Sequence, residues 1–240
     1  MSELLRAGRR AVREVFVDDD DGGSATTAEI GRLAARAGVL VRRVSSHELR
    51  RLAASEVPQG VVAFAAPIQP VSLSSLTSGS LERPFLVVLD GVTDPQNLGA
   101  VMRTALSAGA TGVVIPRHHS ARLTPSAVKA AAGAVEHLPI ALAPGVPAAL
   151  QSLHAAGVWS IGLDESGSVD LDAVELFDQP VALVLGAEGA GLGSLTKDRC
   201  DVVARIELAG PIPSLNVSAA AAVACFAVAR RRRRSAGPKG

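Results

Sequence analysis

Apolar positions along the chain recur with two spacings, every second residue in some stretches and every third or fourth in others, and the changes of spacing mark the elements. Apolar runs at Val12–Val17, Val39–Val44 and Gly60–Ala65 predict strands, while Thr26–Ala37 and His47–Ala54 between them carry helical spacing. From Pro67 to Pro84 the pattern gives way to Ser, Pro, Gly and Thr, the composition of a linker. A small α/β domain over 1–66, a linker over 67–83 and a larger domain over 84–240 are therefore expected.

Beyond the linker, strand and helix patterns alternate through Phe85–Leu89, Pro95–Ala108, Gly112–Ile115, Pro125–Ala134, Leu138–Ala143, Val146–Ala156 and Val158–Gly162. Then come the almost wholly apolar Val181–Leu185, a glycine loop, a short helix near Ser194–Arg199, a strand Val202–Leu208 and a last helix over Leu215–Arg230. Such alternation predicts a parallel sheet covered by helices. Strands apolar at every position are buried on both faces.

Composition narrows this picture only a little. With 48% hydrophobic and 20% charged residues, the 240-residue chain has the make-up of an ordinary globular protein. The first residues lack a signal-peptide core and Ala219–Ala229 is too short to span a bilayer, so a cytoplasmic protein with no membrane partner is expected. Cys200 and Cys225 have no metal-ligand spacing and read as free thiols. The acidic run Asp18–Asp21, followed by Gly22 and Gly23, reads as a solvated loop, because a metal needs more widely spread ligands. A net charge of +1 identifies no partner, but Arg230–Arg234 reads either as a phosphate contact or as a solvated, frayed tail. With no Tyr and a single Trp159, no platform for stacking bases is visible, so any RNA would be held through Arg and backbone.

Three segments stand out. In the first, Leu89 to Ala105, Asp94 and Pro95 suit a helix start, while Asn97 and Arg103 are polar groups near a strand's carboxyl end, where open α/β sheets bind ligands. For Arg103 a solvated side chain is the plain alternative. The second, Leu183 to Leu192, runs from a buried strand into Gly186, Gly189 and Gly191, with Glu188 among them. Glycine lets backbone approach a ligand closely, and Glu188 is either functional or a solvated loop acid. The spacing is G-x-x-G-x-G, unlike the dinucleotide fingerprint, so an oxidoreductase with Glu207 on a ribose is a weak rival. In the third, Ile206 to Ala220, Pro211 and Pro213 hold an extended loop, and Ser214 or Asn216 caps the final helix.

In this order and at these distances, the three segments resemble the signature motifs of the SpoU (TrmH-like) branch of the SPOUT methyltransferases. The front unit, with Gln59-Gly60-Val61-Val62-Ala63, resembles the substrate-binding domain of the rRNA guanosine 2′-O-methyltransferases of that family. Two departures are visible: the chain starts at Leu4-Leu5-Arg6-Ala7-Gly8 without the usual preceding strand and helix, and Pro58 stands where a His commonly precedes Gln-Gly. The resemblance implies a small L30e-like α/β domain followed by a parallel-sheet SPOUT domain with a C-terminal trefoil knot. It also implies a homodimer that transfers a methyl group from S-adenosylmethionine to a ribose 2′-hydroxyl of RNA, rRNA before tRNA.

Matched by motif position, Gly186, Ile206 and Leu215 would contact the cofactor through their backbones, and Asn97, Arg103, Glu188, Ser214 and Asn216 would form the catalytic group. The family gives Arg103 the activating role. A guanidinium keeps its proton far above neutral pH, so Arg103 is read here as a clamp on phosphate and developing alkoxide, oriented by Glu188 and Asn97. His47, His118, His119, His137 and His154 fall outside the motifs. A member of the fold that binds RNA without catalysis remains the other alternative; the presence of every motif side chain argues against it.

Overall fold

The computed structural model describes residues 1–19, 24–53, 59–78, 83–118, 120–211 and 214–235. Asp20 to Gly23, Pro58, His119 and Pro213, each named above, lie outside them. The described chain divides into two compact units, Met1–Gln69 and Pro70–Gly240.

The first unit runs α1 (Ser2–Ala7), β1 (Val12–Asp18), α2 (Ala25–Arg36), β2 (Leu40–Val44), α3 (Ser46–Ala53) and β3 (Val61–Ala65). Helix α1, absent from the sequence reading, comprises the Leu4–Ala7 segment itself and precedes the first strand, ending at Gly8 in the left-handed region at φ 61°. Strand β1 is central, parallel to β2 and antiparallel to β3. Alternation places Val15 and Val17 on one face, where they form a core with Leu5, Ile30 and Ala34. Of the acidic run, Asp18 accepts the Ser46 hydroxyl at 2.7 and 2.8 Å and Asp19 pairs with Arg43 at 3.6 Å.

The second unit runs β4 (Phe85–Leu89), α4 (Pro95–Ser107), β5 (Gly112–Pro116), α5 (Pro125–Ala130), β6 (Ile140–Ala143), α6 (Val146–Ala155), β7 (Trp159–Leu163), β8 (Val169–Asp170), β9 (Val181–Leu185), α7 (Ser194–Arg199), β10 (Val202–Arg205) and α8 (Val217–Ser235). Its seven strands, ordered β6-β5-β4-β9-β7-β10-β8, pair in parallel throughout. Both central strands, β4 and β9, are buried at every position. Leu86 and Val88 point into a core with Leu150 and Leu153 of α6, while Phe85 on the opposite face lies 5.5 Å from the Arg232 guanidinium of α8.

Several boundaries differ from the sequence reading. Helix α5 stops at Ala130 rather than Ala134, because Ala132 and Gly133 turn to φ 49° and 93° and a 3-10 turn, Ala134–Glu136, takes over. Strand β10 ends at Arg205, its register with β8 amounting to Ala204 and Arg205, so Ile206 belongs to the following loop. The serine-rich stretch is no plain linker: Val71 bridges to Ala141, and Leu76, 2% exposed, packs with Leu86 and Val114. Helix α8 starts at Val217 and continues through the arginine run to Ser235. The run is neither frayed nor uniformly solvated, because the half-buried Arg232 donates to the carbonyls of Phe177, Arg83, Pro84 and Gln179 at 2.7–3.2 Å.

Candidate active site

Three turns at the carboxyl edge of the sheet build the site. After β4, the Asp94 carboxylate accepts the amides of Gln96 and Asn97 at 3.1 and 3.3 Å, which caps α4 and places Asn97 in its first turn. After β9, the glycine loop closes on itself through Ala187 and Gly191, whose amides and carbonyls pair at 3.1 and 2.9 Å. A Cβ at Gly186 would lie 2.3 Å from Gly191 backbone, so this glycine is required by the loop's own closure. Before α8, Asn216 accepts the Ser218 amide at 2.9 Å and is the cap; Ser214 is not.

These turns bring together residues far apart in sequence. Glu188 Oε1 accepts from the side-chain amides of Asn97, at 3.0 Å, and Asn216, and from the Val217 amide at 3.4 Å. Asn216 also donates to Asn97 Oδ1 at 3.2 Å. Glu188, though exposed, is thus the centre of an amide–carboxylate–amide cluster. Beside it opens a cleft of about 360 Å³, walled by Gly186 to Gly191 on one side and by Ile206, Leu208, Ser214 and Leu215 on the other. Gly186, Ile206 and Leu215 therefore share one cavity with Glu188 and Ser214.

Arg103 is not part of that cavity. Six residues beyond Asn97 on α4, it stands roughly 9 Å along the helix axis and about 120° around it, exposed, with no side-chain hydrogen bond or ion pair among the described residues. None of the described histidines lines the cavity either: His154, for one, bonds Asp201 at 3.0 Å beside the amino end of β7. Glu207, the ribose ligand of the oxidoreductase reading, does not line the cleft.

The floor of the cleft holds residues outside the three segments: Leu163, Asp164, Glu165, Ser166 and Lys197. Asp164 is 8% exposed and accepts the Leu192 amide at 3.0 Å, the Ser166 amide at 3.1 Å and the Lys197 ammonium at 3.2 Å, besides the Ser166 hydroxyl. Burial opposes its ionisation, yet these donors overcome burial and bring the carboxyl down to about 2. The one sequence signal for it was an acid just past the carboxyl end of an apolar strand. Both thiols are inert by contrast, burial pushing Cys200 and Cys225 up to about 12.

A doubly covered parallel sheet with a glycine-walled cleft where its last strands end belongs to the class of α/β enzymes that hold a nucleotide-like cofactor at the sheet's carboxyl edge. Known proteins narrow the class to one family. Residues 84–226 match the SpoU rRNA Methylase family, and residues 1–71 match the RNA 2′-O ribose methyltransferase substrate-binding domain. The 23S rRNA (guanosine-2′-O-)-methyltransferases RlmB of Burkholderia sp and Ralstonia nicotianae are 40% and 37% identical, each over 95% of this chain and 92% and 91% of theirs. The SpoU methyltransferase AviRb from Streptomyces viridochromogenes in complex with the cofactor AdoMet superposes with TM-score 0.78 at 26% identity, covering 98% of this chain and 88% of that one. The chain belongs to the SpoU family and is an S-adenosylmethionine-dependent RNA 2′-O-methyltransferase.

Proposed function

We propose that the protein methylates the 2′-hydroxyl of a guanosine in 23S rRNA in the cytoplasm, with its cofactor in the cleft behind Glu188. The observation that carries this reading is the convergence of Gly186, Ile206 and Leu215, from two separate loops, on a single cavity. About 360 Å³ lies within the range of small-molecule sites, and its glycine and apolar walls suit a flat base held by backbone groups. Bound there, S-adenosylmethionine supplies a methyl group made electrophilic by its sulfonium.

The chain's own residues then align a poor nucleophile. The Asn97–Glu188–Asn216 cluster offers a fixed carboxylate and amides beside the cleft, suited to hold a ribose without rearrangement. Arg103, an exposed cation without a carboxylate partner among the described residues, is free to take a backbone phosphate and to stabilise the developing alkoxide. The trefoil threading that the family resemblance implies belongs to this reading, and the crossed strand order, with β9 between β4 and β7, supports it. On α8, Ala219, Val223 and Phe226 form an exposed stripe, the latter two 40% and 36% exposed, which supports pairing with a second copy. Light scattering at micromolar concentration should report a dimer; a monomer overturns that part.

Mapping of 2′-O-methylation across rRNA and tRNA, in cells with and without the gene, tests the substrate. One 23S guanosine should lose its mark. Loss confined to tRNA overturns the rRNA assignment, and no loss overturns the activity.

A further inference from the structure

We infer that Asp164 is a positioning residue for the cofactor: its buried carboxylate ties the loop after β7, the exit of the glycine loop and α7 together, and so sets the width of the slot. The inference rests on the reading that the cleft holds S-adenosylmethionine.

Asp164 follows directly on β7, and its amide donates to the Ala204 carbonyl of β10 at 3.0 Å, so its backbone is held by the sheet. From there its two oxygens face different parts of the cleft. Oδ2 takes the Leu192 amide, where the glycine loop leaves the cavity. Oδ1 takes the Ser166 amide and hydroxyl together with Lys197 from α7. All these residues except Leu192 line the cavity, and Leu192 is the residue next to Gly191.

The neighbouring glycine is matched to this contact. A Cβ at Gly191 would lie 2.5 Å from Asp164 Oδ2, and its backbone sits at φ 64°, so the carboxylate and the glycine loop meet as closely as they do only because this position has no side chain. Four donors converge on one carboxylate, which leaves no acceptor there for an added N–H. Asp164→Asn, nearly equal in shape, turns an N–H₂ group toward one of those donors, and the two walls must part to relieve it. Preorganised walls cost nothing at the moment of binding, so their loss falls on cofactor affinity.

The full-length Asp164→Asn variant should bind S-adenosylhomocysteine at least about tenfold more weakly by calorimetry, with KM for S-adenosylmethionine rising in step and kcat at saturating cofactor changing far less. RNA affinity, measured by filter binding, should stay within about twofold, because the buried Asp164 carboxylate is occupied by donors of the protein itself. Leu215→Trp, an exposed cleft-wall position, is the companion variant that obstructs the slot itself. If Leu215→Trp binds S-adenosylhomocysteine normally, the assignment of the cleft fails. If Leu215→Trp loses binding while Asp164→Asn keeps wild-type affinity, the positioning role alone is overturned. A fall in kcat without a change in KM overturns it equally, and circular dichroism of both variants separates a folded weak binder from an unfolded one.

Discussion

At the scale of single residues, the structure separates two kinds of polar group. Glu188 and Asp164 are each satisfied by several donors, whereas Arg103 has no side-chain partner among the described residues, as its proposed role as a clamp on RNA requires. If Arg103 is that clamp, Arg103→Ala should abolish most methyl transfer while cofactor affinity is retained, its contacts then forming chiefly with RNA in the transition state. Arg103→Lys keeps the charge but loses the planar fork and should recover little. A general base predicts instead a rate that rises with pH and a Lys variant rescued at alkaline pH; single-turnover rates across neutral to alkaline pH decide. Asp164 gives a pH dependence of stability with a definite sign. Its folded pKa, about 2, lies below the ordinary 3.8, so its contribution is present above pH 4 and is lost as the pH falls toward 2. That contribution is about 2 kcal/mol. Denaturant midpoints of the wild type and Asp164→Asn should differ at pH 6 and converge as the pH approaches 2.

At the scale of elements, α8 is the one whose role the sequence left most open. Its arginine run reads alike at every position, yet Arg232 alone turns inward, over Phe85 and onto four carbonyls around the start of β4 and the end of the 3-10 turn Leu176–Asp178. Burial first, and then the nearby Arg83, lower its pKa, but the carbonyls accept its protons and hold it in place. Arg232→Ala should cost about 1–2 kcal/mol, since it removes hydrogen bonds to the part-buried carbonyls of Phe177 and Pro84, and lower Tm by several degrees. Changing Arg231, Arg233 and Arg234 together to Ser should leave Tm nearly unchanged, those side chains being exposed. Equal losses from the two changes would show that the helix end, not Arg232, is the fastening. Helix α4 is set by contact as well. A Cβ at Gly99 would lie 2.4 Å from the Ala127 carbonyl, so α4 and α5 lie against each other at a distance no side chain permits.

At the scale of the whole molecule, the cleft proposed to hold the cofactor is built entirely within Pro70–Gly240. A fragment over those residues should fold alone and bind S-adenosylhomocysteine with near wild-type affinity by calorimetry. Starting later, at Leu81, removes the Leu76 side chain from its core and the Val71 bridge to Ala141, and should lower the fragment's Tm. Much of this was legible beforehand, because it rests on local signals: the period of Phe85–Leu89 and Val181–Leu185, the cap at Asp94, the glycines at Gly186 to Gly191. Those features need only neighbours in sequence. The end of α5, the short β10 and the inward turn of Arg232 were not legible, since each depends on a partner strand or carbonyl distant in the chain. The same holds for the site. The sequence by itself determined which residue types were available at the sheet's carboxyl edge and, through three motifs, the family's chemistry. Only the tertiary structure decided that Asn97, Glu188 and Asn216 bond to one another, that Arg103 stands apart, and that Asp164 joins the cleft's walls. The physical reason is that hydrogen bonds and excluded volume act across a few ångströms of space, and spacing along a chain does not encode which distant atoms will share that space.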